Sequence, residues 1–129
     1  MDSIITPEKS SIFAGNIKAY TMESVAKSGK TAAVVAYLTI IGTIIAYFIN
    51  NDSKNPFASF HIRQALGIHI TFYMLGLVIS WFDSWLISGA FYLFIIVLWG
   101  YGFITAIQGE MKEVPLVGSM YQKWFSTIE

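Results

Sequence analysis

The chain has 129 residues, 55% hydrophobic, 16% aromatic and 12% charged, with no cysteine and a formal net charge of +0. That composition excludes an ordinary soluble globule, and lysines scattered over short segments exclude the basic stripe of a nucleic-acid binder, so no nucleic acid is expected as a partner. The lack of cysteine excludes disulfides, thiol catalysis and cysteine-ligated metal.

Residues 1–30 read as a tail and an amphipathic helix. The start has no basic stretch followed by an apolar one, so a cleaved signal peptide is not expected, and residues 1–10, with Pro7, read as loose. Over residues 11–28, Ile12, Phe13, Ile17 and Tyr20 recur at helical spacing, while Lys18, Glu23 and Lys27 fall away from them. This predicts a short helix lying in a membrane interface, or else a flexible tail with accidental periodicity. Ser28-Gly29-Lys30 is expected to interrupt it.

From Thr31 to Asn51 no residue is charged, and the run is long enough to cross a hydrocarbon layer roughly 30 Å thick. A first transmembrane helix is predicted at about residues 31–50. Ala32, Ala36, Thr39, Thr43, Ala46 and Asn50 share one face, which reads as a packing or partner seam or as a polar pathway. Asn51–Pro56 has the residues of a turn, and Ser59 is a plausible N-cap. A second span follows at about residues 61–82, entered through His61, Arg63 and Gln64. His69 within it is a candidate for a proton relay or ligand site, or for a hydrogen bond to a neighbouring helix. His61 and His69 lack further ligands at useful spacing, so neither a metal site nor a cofactor is expected.

Trp81-Phe82-Asp83-Ser84-Trp85 predicts a tight hairpin turn flanked by interfacial tryptophans. The third span runs over about residues 85–107, and Gly102, Thr105 and Gly109 give its end a small-residue face. In residues 110–129 a polar turn precedes a stripe of Met120, Tyr121, Trp124, Phe125 and Ile128, read as a C-terminal interfacial helix. The expected fold class is therefore all-α: a polytopic membrane protein with three transmembrane helices over residues 31–109 and short amphipathic interfacial helices at both ends. Phe57, Phe60, Trp81, Trp85, Tyr121, Trp124 and Phe125 are its expected interface anchors.

A hairpin turning at Asp83 brings His61, Arg63 and Gln64 level with Gln108, Glu110 and Glu113. Arg63 is expected to pair with Glu110 or Glu113 across this polar mouth, or to snorkel to headgroups. The Asp83 turn carries no lysine or arginine, whereas the 51–60 loop with Arg63 and the C-terminus are basic. The turn is thus expected outside and the other two on the cytoplasmic side of the membrane. Three spans then force Lys9, Lys18, Lys27 and Lys30 outside, against the same rule.

The stretches Ser59–Gly67, Ile104–Gly118 and Gln122–Phe125 resemble the small bacterial Tic20-like family, related to a subunit of the chloroplast inner-envelope import translocon. The resemblance covers about residues 31–125. It implies a non-enzymatic accessory subunit of a protein translocation, insertion or secretion assembly. The implied partners are the bilayer and other integral membrane proteins, Sec translocon or insertase subunits among them. A self-assembling channel or transporter, built as a homo-oligomer, is the alternative; no catalytic constellation can be assembled from the residues.

Overall fold

The computed structural model describes residues 6–129 and is all-helical. The loose tail expected over residues 1–10 falls in part on residues 1–5, which lie outside the described residues. From Pro7 onward the chain is helical. α1 spans Pro7–Leu38, with Thr6 accepting from the Lys9 amide and Pro7 in the first turn, where its missing N–H costs nothing. The helix runs unbroken through Ser28-Gly29-Lys30, so the N-terminal amphipathic segment is not a separate interfacial helix. Its residues up to Ser24 are all exposed, and only the part beyond them meets the rest of the chain.

The segment expected as one span, residues 31–50, is two helices folded against each other. α1 stops at Leu38, Thr39 is extended (φ −156°, ψ 173°), and α2 runs back over Ile40–Ser53. Two features of the sequence permit so sharp a reversal. The Thr39 side chain caps α2 by accepting from the Gly42 amide at 3.0 Å. Gly42 itself lies against the Val35 carbonyl, where any Cβ would overlap the oxygen. Thr43 Oγ1 then donates to the Ala36 carbonyl at 2.7 Å, satisfying a terminal acceptor of α1. At the other end of the hairpin, Asn55 Nδ2 donates to the Val25 carbonyl at 2.9 Å and to Ser28 Oγ at 2.8 Å, so residue 55 has returned alongside residues 25–28.

α2 ends with Lys54 in the left-handed region (φ 47°), and α3 begins at once, Pro56–Ile79. Its cap is Asn55, which accepts from the Ala58 amide at 3.1 Å. Ser59, the expected cap, is instead one turn inside, and Pro56 opens the helix rather than ending one. After the turn, Ser84 caps α4, Trp85–Gln108, which closes on Gly109 in the left-handed conformation (φ 76°). The short α5, Gly118–Trp124, packs back on α3, its Tyr121 ring occupying the space a Cβ on Gly67 would need.

α3 and α4 are the two described helices long and apolar enough to cross a membrane. α2, at 14 residues, is about 21 Å long and falls short of a roughly 30 Å hydrocarbon layer. The core is correspondingly one-sided. Every buried residue of α3 lies between Phe57 and Ile68, where the α1–α2 hairpin, α4 and α5 surround it. Beyond Thr71 only α3 and α4 remain, joined by stacked Phe72 and Phe91 rings at 6.0 Å.

Candidate functional site

The polar groups of the chain converge at the crowded end of the bundle, around His61. α3 presents His61 and Gln64 one turn apart on the face that meets both α1 and the segment after α4, and both side chains are wholly buried. His61 Nε2 lies 2.8 Å from the Glu110 carbonyl, which can only accept, so Nε2 carries the proton and Nδ1 is an acceptor. The Tyr37 hydroxyl, 2.7 Å from Nδ1, therefore donates to it and in turn accepts from Gln64 Nε2 at 2.9 Å. Gln64 Oε1 accepts from the Val114 amide at 2.8 Å, and Gln64 Nε2 also reaches the Lys112 carbonyl at 3.3 Å. The chain of donors runs one way, and among the described residues no buried side-chain polar atom lacks a partner. What it does chemically is hold the 110–114 segment against α3 through backbone atoms.

Three further clips surround it. Trp99 Nε1 donates to the Tyr37 carbonyl at 2.6 Å, satisfying another acceptor at the end of α1. At the hairpin tip the Thr43 hydroxyl donates to Ala36 and so receives its bond from His69 Nδ1, at 2.9 Å. At the hairpin base, Asn50 accepts from the Asn55 amide at 2.9 Å and donates to Ser59 Oγ at 2.8 Å. Polar contacts thus occur at the base, middle and tip of the hairpin, each spent on a backbone or side chain of this same chain.

The mouth differs from expectation in its ion pairs. Arg63 does not meet Glu110 or Glu113. It donates from Nε to Gln122 Oε1 at 2.7 Å and from Nη1 to the Ile128 carbonyl, while Gln122 Nε2 donates to the Phe60 carbonyl at 2.9 Å. The reason is direction: His61 and Gln64 face the 110–114 segment, and Arg63, between them in sequence, points to another side of α3. Glu110 pairs instead with Lys112 at 3.0 Å, and that carboxylate holds the exposed Lys112 ammonium above its ordinary pKa. Gln108 and Glu113 are exposed and take no part in the His61 network.

The expected interface anchors separate into two groups. Trp81 and Trp85 are each 89% exposed and Trp124 is also exposed, while Phe125 is half-buried. Phe57, Phe60 and Tyr121 are buried and belong to the core, because α1, α2 and α5 pack on α3 where headgroups were expected. Tyr121 also shares a hydrogen bond with Thr71, and burial pushes its phenol up. Ala32, Ala36, Thr43 and Ala46 are buried within the chain itself, as are Gly102, against Tyr37, and Thr105, bonded back to its own helix. Thr39 is exposed at the break. Tyr37, Trp99 and Asn55 were not foreseen as site residues; a turn asparagine before a proline was the one available signal for Asn55.

Beside this network a cleft of about 970 Å³ lies between residues 21–30 of α1, the start of α3 and residues 108–112. Its floor includes Ala26 and Phe57, and Lys27, Lys30 and Lys112 stand on its rim with Glu23 and Glu110. Among the described residues no three His, Asp or Glu side chains converge, so the arrangement offers no chelating set.

A family model for MamF/MmsF, the magnetosome magnetite crystal formation protein family, matches residues 22–121. No curated protein and no solved structure matches the chain. The family match overturns the Tic20-like resemblance and, with it, the reading as a subunit of a translocation, insertion or secretion assembly; it gives the channel alternative no better support. Two of the three stretches that carried the resemblance are the halves of the His61–Glu110 and Gln64–Val114 clip, and the third supplies Gln122 to Arg63. They report how a helix entry is tied to a loop, which is a property of fold and not of function.

Proposed function

The chain belongs to the magnetosome magnetite crystal formation protein family, and from that premise we propose that it serves crystal formation as a non-enzymatic integral protein of the magnetosome membrane. It crosses the bilayer twice, through α3 and α4, while the α1–α2 hairpin enters and leaves on one side. The observation that carries this reading is the reversal at Thr39. With it, all eight lysines and arginines lie on the side of the polar mouth, and only the turn Ser80–Ser84 faces the other. The conflict raised by three spans disappears. The positive-inside rule then assigns the N-terminal helix, the Lys54 turn and the C-terminal segment to the cytoplasm and the Asp83 turn to the opposite compartment. Covered by hairpin and tail, the mouth of the bundle is a fixed structural node whose buried polar groups are committed to partners within the same chain.

Because the chain has no cysteine, single cysteines placed at residues 18, 54, 83 and 123 test the reading on sealed membranes with a membrane-impermeant maleimide. Positions 18, 54 and 123 are expected to label from one side and position 83 from the other. Labelling of 18 and 54 from opposite sides would restore three spans and refute the hairpin.

A further inference from the structure

The hairpin makes the molecule unequal across the bilayer. From Thr31 to the tip at Thr39 the arm of α1 is about 12 Å long at 1.5 Å per residue, and the uncharged part of the return arm, residues 40–51, is about 17 Å, so both reach about half of a roughly 30 Å hydrocarbon layer. The hairpin thus fills one leaflet and stops. In that leaflet four helical segments stand side by side, the two hairpin arms with α3 and α4, and α5 adds to them, seated on Gly67 and Thr71 of α3. In the other leaflet stand the last eight residues of α3, Phe72–Ile79, and the first part of α4. Their outward residues, Tyr73, Met74, Leu77 and Val78 on α3 and Leu86 and Leu93 on α4, are 51–75% exposed, as lipid-facing side chains of a bare helix pair would be. A helix about 10 Å across occupies on the order of 100 Å², so the two extra arms add roughly 200 Å² to one leaflet and nothing to the other.

We propose that the protein acts as a one-leaflet wedge that bends the bilayer, with its basic face on the convex side and the Asp83 turn on the concave side. The inference rests on the membrane placement proposed above. The wedge is stiff where it needs to be. The hairpin is held at its base by Asn50 and Asn55, at its middle by Tyr37 bonded to His61 and Gln64, and at its tip by Thr43 bonded to His69. Lateral pressure from lipid therefore meets a body cross-linked to the two spans instead of a hairpin free to slide out. A flat bilayer must thin or stretch its other leaflet to accommodate such a shape, whereas a curved one has the area difference already. A protein of this form concentrates in membranes of small radius and, at high density, lowers the radius.

The test is reconstitution of the full chain, carrying the single substitution Lys54→Cys, into vesicles at increasing protein-to-lipid ratio, with diameters measured by electron cryomicroscopy. Maleimide access to the thiol at position 54 reports which face is outside. Mean diameter is expected to fall as protein rises, and in the smallest vesicles position 54 is expected to face outward. A variant lacking residues 2–20, which are exposed wherever described, is expected to behave the same, because the wedge begins after them. Unchanged diameters, or position 54 facing inward in the smallest vesicles, would overturn the wedge. Loss of the effect in the shortened variant would also overturn it, by tracing the bending to the projecting helix. Failure of the placement itself is read separately, from residues 18 and 54 labelling on opposite sides.

Discussion

Tyr37 is the residue on which the buried network turns, since its hydroxyl both donates to His61 and accepts from Gln64. Tyr37→Phe keeps the ring that packs against Gly102 and Phe103 but strands one acceptor and one donor away from water. The expected loss is about 1–3 kcal/mol, read as a lower unfolding temperature in detergent. Tyr47→Phe, at an exposed position on α2, is the matched control and should change little. His61 and Gln64 were legible in the sequence because polar side chains at the entry to an apolar run require partners. Tyr37 was not, because within residues 31–50 a tyrosine reads as one more large apolar side chain. Arg63 was misread for a related reason: sequence proximity to His61 suggested a shared partner, while helical geometry sends the two side chains apart.

The element that escaped the sequence is the hairpin. A 21-residue uncharged run from Thr31 to Asn51 has the same hydropathy whether it crosses a membrane once or enters and returns, so periodicity and length could not separate the two. The local signal was small: a threonine followed three residues later by a glycine, the cap and the close-approach residue of the turn. Gly42→Leu is expected to force the arms apart against the Val35 carbonyl, at a cost of about 1–3 kcal/mol or more. Spin labels at positions 27 and 54, near each other at the hairpin base, would report it as a longer and broader distance distribution. An unaltered distribution would mean that the turn does not depend on Gly42. By contrast, the break between α3 and α4 was legible in the sequence to within about three residues, expected after 82 and found after Ile79, with α4 starting at Trp85 as expected, because Asp83 and Ser84 interrupt an otherwise apolar run.

At the scale of the whole molecule, the one clue the sequence held was a contradiction, since three spans put four lysines on the side the rest of the charges ruled out. Folding one expected span back on itself removes the contradiction without moving any other element. With the placement proposed above, Asp83 is the sole formal charge that has to cross during insertion. In a cell whose interior is electrically negative, carrying an acid outward is downhill by about 2.3 kcal/mol per 100 mV. Dissipating that voltage is expected to slow the appearance of the Asp83 turn on the far side, followed by maleimide access to a cysteine at position 82. In Asp83→Lys the same voltage should oppose crossing, so an uncoupler should speed it; a wild-type rate indifferent to voltage would refute the idea. The voltage across the membrane, and not only its oiliness, would then drive the assembly of this chain.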